Sequence, residues 1–379
     1  MSVPHLIQCQ SRMISKQFHT FYHDQLVQAI DSYIRTELQN FHALPWSKQV
    51  TEKLMGFCKG GKLVRGTTFV EATHLLSNTL PAKLKLTDPA ILAIGVAIEL
   101  FGSALLIHDD IIDRDTLRRG KATIHTQFAE WATEHGRPSP QHDGNSAAIV
   151  LGDILLFLAN RAIISQTDPA LDITTIKTIL QQFSRESLFT AFGELADSIG
   201  TPDQEQLSEE GILELYRTKT AHYTFCMPLT MAAIASKQSA EQVALWDTIG
   251  QHLGVLFQIK DDELGLFGNP DVTGKAVGAD IRENKRTLYF LLTRNALLKA
   301  NQTKKLELLE KAYGNPEITQ TDILAVSKLI EDTGTRLALQ NRMRTVATTT
   351  TNMLQSLEPS EPLRQWFSKL VEFTIARTK

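Results

Sequence analysis

The sequence predicts an all-α protein, a single large multi-helix bundle. Three observations carry that prediction. Apolar residues recur at three-to-four spacing through most of the chain. Alternating runs are few, and no strand–helix–strand rhythm appears. One long segment, AILAIGVAIELFGSALLIHDDIID, is apolar nearly all round, as a helix at the centre of a bundle must be.

The elements follow in order. Residues from about 18 to 42 repeat apolar positions at helical spacing. The turn Lys59-Gly60-Gly61-Lys62 interrupts them, and a second helix begins near Arg65. Asp88-Pro89 is a start signal, with Asp as N-cap and Pro in the first helical position. The all-apolar helix follows it. The polar stretch TEHGRPSPQHDGNS, 133–146, is expected to be a surface loop. SAAIVLGDILLFLANRAII is expected to be another buried helix. Further helices are expected at about 171–199, 208–235, 239–264, 284–301, 303–313, 320–335, 336–357 and 361–377. No internal repeat or low-complexity segment breaks this pattern, so 1–379 is expected to form one domain, although length alone allows two.

Bulk properties narrow the function. A net charge of −3 over 379 residues gives no global field for nucleic acid. The three cysteines, Cys9, Cys58 and Cys226, form no metal-ligand spacing and suit a reducing compartment. No run of eighteen or more apolar residues and no charged-then-apolar leader appears, so a soluble, cytoplasmic protein without a transmembrane segment is expected.

Two aspartate clusters carry the chemistry. Asp109, Asp110 and Asp113 stand in LLIHDDIIDRD, and Asp261 and Asp262 in VLFQIKDDELG. Asp109 and Asp113 are an i,i+4 pair, with β-carbons about 5–6 Å apart on one helix face. Carboxylates that close repel unless a cation joins them or one takes a proton. A hard divalent ion with oxygen ligands, Mg2+, answers that need, and such an ion also binds substrate phosphates. A solvated acidic helix end is the alternative for the first cluster alone; the apolar setting and the second cluster argue against it.

Basic residues complete the pattern. Arg118 and Arg119 are adjacent, so they point in different directions and suit two different anions. GGKLVRG places Lys62 and Arg65 at a Gly-rich turn before a helix, without P-loop spacing. Lys219-Thr220 lies among apolar and aromatic residues, where a snorkelling lysine is the alternative. Lys275 sits in a Thr-Gly-Lys turn that could cover phosphates.

Taken together, these residues resemble the trans-isoprenyl diphosphate synthases, or polyprenyl synthetases, and among them geranylgeranyl diphosphate synthases. The resemblance covers roughly Gly60 to Arg286. GGKLVRG is similar to the family's GGKxxR segment, HDDIID with RRG to its first aspartate motif, and GELAD at 193–197 to GQxxD. KT at 219–220 matches, and FQIKDD is similar to the second aspartate motif. The resemblance implies a helical isoprenoid-synthase bundle with a central active-site cavity, a homodimer, and three Mg2+ ions per active site. It implies that Asp109 and Asp113 ligate metal from one side and Asp261 from the other, with Asp110 and Asp262 supporting. Arg118, Lys219 and Lys275 would hold an allylic diphosphate, and Lys62, Arg65 and Arg119 isopentenyl diphosphate. Thr220 and Gln258 would turn oxygen dipoles towards the developing cation. Catalysis is then expected to be metal-assisted ionisation and positioning, with no protein nucleophile.

Four positions depart from the family pattern: Gly265 for the last aspartate of the second motif, Leu63 for a basic residue, Glu194 for glutamine, and Gly102 for a His or Gln. Product length is read from the face of Asp109, which recurs at Leu105 and Phe101. Ala104 is small, and Phe101 lies about 12 Å down the helix as the candidate floor, which suits a product beyond roughly fifteen carbons. Geranylgeranyl diphosphate is the expected product. The competing readings are a class I terpene cyclase, which also uses DDxxD but needs no second diphosphate site, and a non-catalytic subunit that regulates an active synthase.

Overall fold

The structure, a computed structural model, describes residues 3–41, 43–44, 46–77, 87–166, 171–199, 208–268 and 277–377, with side chains from residue 19 onward. Among these residues it is all-α apart from one two-stranded hairpin. The chain divides into two compact units, Met1–Glu186 with Tyr223–Asp247, and Ser187–His222 with Thr248–Lys379.

The first unit begins with α1, Val3–Leu38, followed by α2, Ser47–Cys58, and α3, Val64–Leu76. α2 is absent from the sequence expectation. Its apolar positions Val50, Leu54, Met55 and Cys58 are all buried, a short amphipathic pattern. The apolar helix, α4, runs Pro89–Ile112. Asp88 caps it by accepting from the Ala90 N–H, with Pro89 in the first turn, as the start signal predicts. It packs against α1, α2, α3, α5 (Ile124–Glu134), α6 (Pro140–Ile164) and α9 (Met227–Ala235), so its apolar girth is explained by burial on most sides.

Glycines set the closest crossings. A β-carbon on Gly66 of α3 would stand 2.8 Å from the Gly95 carbonyl oxygen of α4. One on Gly152 of α6 would stand 2.1 Å from Nε2 of His108 on α4. The α6 crossing, at His108, lies beside the end of α4 that carries the first aspartates, and the α3 crossing, at Gly95, lies nearer its other end.

Two expectations are corrected here. The polar stretch 133–146 is loop only over 135–139; its first two residues close α5, Pro140 opens α6, and the polar residues after it form the solvent face of its first turns. α6 is also not buried all round, since Ile149, Val150, Phe157 and Ile164 are exposed. By length and composition α4 and α6 both reach what a bilayer span needs, but α4 is mostly buried within its own unit.

Among the described residues, the second unit contains the later part of α7 (Ile173–Ile199), α8 (Glu209–Tyr216), the later part of α10 (Ala240–Phe267), and six further helices. Those are α11, Ala279–Arg282, α12, Leu288–Lys299, α13, Thr303–Ala312, α14, Gln320–Asp332, and α15, Thr335–Gln355; the C-terminal α16, Glu361–Ala376, follows. Where one helix is expected over 208–235, the backbone instead widens into a π-helix across Arg217–Cys226, between α8 and α9. Long π-helical runs are rare and mark functional sites. Glycines let neighbours approach this segment: a β-carbon on Gly193 would meet the Lys219 amide nitrogen at 2.4 Å, and one on Gly254 would meet the Ala221 β-carbon at 2.1 Å.

The buried carboxylate of Glu263 ties α10 to α15. It accepts from Lys260 at 2.8 Å, Arg336 at 3.1 Å and Gln340 at 2.6 Å, so its charge is fully compensated. That network fixes the turn of α10 that carries Asp261 and Asp262.

Candidate active site

In the first unit the site is built at the C-terminal end of α4. Asp109 and Asp110 lie in its last turns, and Asp113 is its C-cap, its N–H donating to the Asp109 carbonyl at 2.8 Å. The helix closes in a Schellman arrangement: the Asp115 N–H reaches the Asp110 carbonyl at 2.9 Å and the Arg114 N–H reaches Ile111 at 3.3 Å. Arg114 occupies the left-handed position (φ 58°) that glycine usually takes. This turn folds Asp115 back towards Asp110. Three carboxylates thus gather at the negative end of a long helix dipole, where a cation is favoured.

That cation is a guanidinium. Arg118 Nε donates to Asp110 Oδ1 at 2.5 Å, and its Nη2 lies 3.1 Å from Asp109 Oδ2 and 3.8 Å from Asp115 Oδ2. Burial pushes the Asp110 carboxyl up to about 6; Arg118 opposes the shift, and Asp109 and Asp115 add to it. Asp110 Oδ2 is buried with no hydrogen-bond partner among the described residues.

Arg118 and Arg119 do diverge. A hairpin pairs Leu117–Arg118 with Lys121–Ala122, and its two-residue turn, Arg119-Gly120, has φ values of 54° and 72°. Positive φ at both positions is the I′ geometry that matches strand twist. Glycine supplies it freely, whereas an arginine there is strained, a feature common at functional sites. The turn sends Arg119 to the Gly-rich segment, where its Nη1 donates to the Gly60 carbonyl. A β-carbon on Gly61 would stand 2.7 Å from the Arg119 guanidinium carbon, so the GG pair is a seat for that side chain. Leu63, also left-handed (φ 45°), turns the chain into α3.

Arg65 lies with its guanidinium carbon 4.2 Å from the centroid of the Tyr223 ring, and its buried Nε has no hydrogen-bond partner among the described residues. Its side chain passes Gly102, where a β-carbon would stand 3.4 Å from Cδ. Glu99, three residues before Gly102, accepts from the Gly66 N–H at 2.6 Å; its carboxyl is raised by burial, against the pull of Arg65. Lys62 is exposed at the turn. Further along α4, Ala104 is fully buried, Leu105 is half-buried, and Phe101 is buried edge-to-face against Phe183 with ring centroids 5.3 Å apart. Phe183 comes from α7, and nothing local in the sequence pointed to it.

In the second unit, Lys219 on the π-helix donates to Asp197 at 2.5 Å and lies 3.2 Å from Glu194. The GELAD segment is therefore an acidic seat for that lysine, with Gly193 providing clearance. Thr220 Oγ1 donates to Gln258 Oε1 at 2.6 Å, and Gln258 Nε2 donates to Asp262 Oδ1 at 2.8 Å. The Tyr216 hydroxyl donates to Asp262 Oδ2 and accepts from the Leu288 N–H at 3.2 Å. Asp262 is buried in this chain, and burial, then Asp280, raise its carboxyl well above the usual range. Asp261, one residue earlier, is exposed and accepts from Arg377 Nη2 at 2.7 Å. Lys275 lies outside the described residues.

Sequence reasoning missed Tyr216, Asp280 and Arg377. Asp280 bears on the Gly265 departure: a β-carbon at 265 would stand 3.1 Å from Asp280 Oδ2. The position that lacks the motif's last aspartate is faced by a carboxylate from α11.

The chain matches the polyprenyl synthetase family over residues 45–330 and belongs to it. It is a prenyltransferase, an isoprenyl diphosphate synthase. Over 285 residues it is 28% identical to a geranylgeranyl diphosphate synthase of Sulfolobus acidocaldarius, covering 75% of this chain and 80% of that one. Over 313 residues it is 26% identical to a (2E,6E)-farnesyl diphosphate synthase of Mycobacterium bovis, covering 82% and 77%. The fold is similar to that of Corynebacterium glutamicum geranylgeranyl pyrophosphate synthase complexed with isoprenyl diphosphate and magnesium (TM-score 0.84, 24% identity, 95% of this chain and 99% of that one).

Proposed function

We propose that the protein catalyses Mg2+-dependent, head-to-tail condensation of isopentenyl diphosphate with an allylic diphosphate, giving geranylgeranyl diphosphate. The observation that carries the metal reading is the end of α4. Asp109, Asp110 and Asp115 surround one guanidinium, and Asp110 keeps a buried oxygen without a partner among the described residues. An all-carboxylate donor set at a helix C-terminus fits a hard divalent cation. Asp109, Asp113 and Asp261 would hold Mg2+, with Asp280 as an additional carboxylate in place of the one missing at Gly265. Those residues would hold a Mg2+ ion whose charge, when bound, would neutralise the leaving diphosphate and favour ionisation of the allylic C–O bond.

The chain's own residues supply the rest. Lys219, oriented by Asp197 and Glu194, would bind the allylic diphosphate, as would Arg118 and Lys275. Arg65, with its unpartnered buried donor, would bind isopentenyl diphosphate together with Lys62 and Arg119. The Thr220–Gln258–Asp262–Tyr216 chain holds the Thr220 hydroxyl oxygen and the Gln258 amide in fixed directions, which suits stabilisation of an allylic cation. The isopentenyl double bond attacks that cation, a proton leaves, and the chain lengthens by one unit.

The edge-to-face pair Phe101–Phe183 supports a floor below small Ala104. The test is to supply isopentenyl diphosphate, Mg2+ and each allylic starter, and to measure product carbon number. Geranylgeranyl diphosphate is expected, and Phe101→Ala is expected to lengthen it. An unchanged distribution in that variant removes Phe101 as the floor.

The enzyme is proposed to act in the cytoplasm as a homodimer with one domain per chain. Leu188, Phe192, Leu195 and Ile199 of α7 form an exposed apolar stripe at four-three-four spacing, the pattern of a helix that packs on another. Leu195→Glu is expected to shift the mass measured by light scattering from dimer to monomer.

A further inference from the structure

The C-terminus makes a contact that the reaction does not require. α16 is anchored by buried Leu363, Phe367, Leu370, Val371 and Thr374. It ends at Arg377, whose backbone turns extended (φ −60°, ψ 147°). From there the side chain lies back on α10. Its guanidinium carbon is 3.7 Å from the centroid of the Phe257 ring, and Nη2 donates to the Phe257 carbonyl at 3.1 Å and to Asp261 Oδ1 at 2.7 Å. Phe257 and Asp261 are i,i+4 neighbours, so one helix face offers both an aromatic plane and a carboxylate. Only 9% of the Arg377 side chain is exposed, against 55% for Asp261. A loose surface pair would leave both ends wet and contribute little. Here the arginine is held by three contacts, and it spends one of them on the first aspartate of the second motif.

We propose that Arg377 is a C-terminal latch on Asp261 that competes with the divalent cation for this carboxylate. The proposal rests on the reading of Asp261 as a metal ligand. Two positive charges drawn to one carboxylate repel each other, so each weakens the binding of the other. That coupling is reciprocal: Arg377 lowers cation affinity, and cation binding loosens the last turn of α16. The synthase therefore carries a built-in threshold for metal loading, set by Arg377 at the end of α16.

The experiment uses the full chain, with Mn2+ and inorganic diphosphate as the probe. Mn2+ affinity is measured by calorimetry for the wild type, Arg377→Gln, Arg377→Lys and Asp261→Asn. Deuterium uptake across 361–377 is followed with and without Mn2+. Arg377→Gln is expected to tighten binding by about fivefold or more, Arg377→Lys to stay near wild type, and uptake in wild type to rise when Mn2+ is added. If Asp261→Asn weakens binding while Arg377→Gln does not tighten it and uptake does not rise, the latch is overturned and Asp261 stands as a ligand. If Asp261→Asn leaves binding unchanged, the ligand reading falls and the latch with it.

Discussion

Asp110 sits in an environment that its motif alone does not suggest. In the sequence it is one of three like charges. In the fold it is buried, with one oxygen held by Arg118 and a carboxyl pushed up to about 6 by desolvation. A carboxyl raised on folding binds its proton more tightly in the native state. Its contribution to stability is therefore complete below about pH 4 and is lost as pH rises towards about 6. Asp110→Asn is expected to flatten that part of the stability–pH curve, measured by urea unfolding across pH 4 to 7. Arg118→Ala strands the same buried charge and is expected to cost about 3 kcal/mol at pH 7 in the same assay. The residue types at 109, 110, 113, 118 and 119 were legible because like charges in an apolar helix demand a partner. Which partner Arg118 finds was not, because the hairpin that aims it depends on a left-handed arginine at 119. The contacts of Asp261 with Arg377 and of Gly265 with Asp280 join distant parts of the chain, and no local pattern encodes them.

At the scale of elements, periodicity gave most helices because most are amphipathic or wholly buried. α4 was read with its cap, its central place and its aspartates. α2 was missed because its twelve residues hold only one apolar stripe beside a Gly-rich turn. The start of α6 reads as loop because its first turns are polar outside, although Ser139-Pro140 is itself a start signal. The π-helix has no such signature. Its width belongs to a segment against which Gly193 and Gly254 allow close backbone approach. Gly193→Ala tests that dependence: the added methyl meets backbone of the Lys219 segment, which has no flexible end to move aside. A loss of about 2 kcal/mol is expected from overpacking, with a fall in kcat from displaced Lys219. An unaltered thermal midpoint and kcat would show that the Gly193 clearance is dispensable.

For the whole molecule, the all-α class and the synthase family follow from two aspartate motifs, one basic turn and a helical rhythm, and the family match over residues 45–330 agrees with them. The central claim is that these acids serve a two-substrate condensation through divalent metal. The most direct measurement is diphosphate release by the purified chain from an allylic diphosphate, with and without isopentenyl diphosphate, and with and without Mg2+. Release is expected only when both are present, matched by isopentenyl incorporation into a longer prenyl chain. Release from the allylic substrate alone, with no isopentenyl incorporated, or full turnover after chelation of Mg2+, would contradict it.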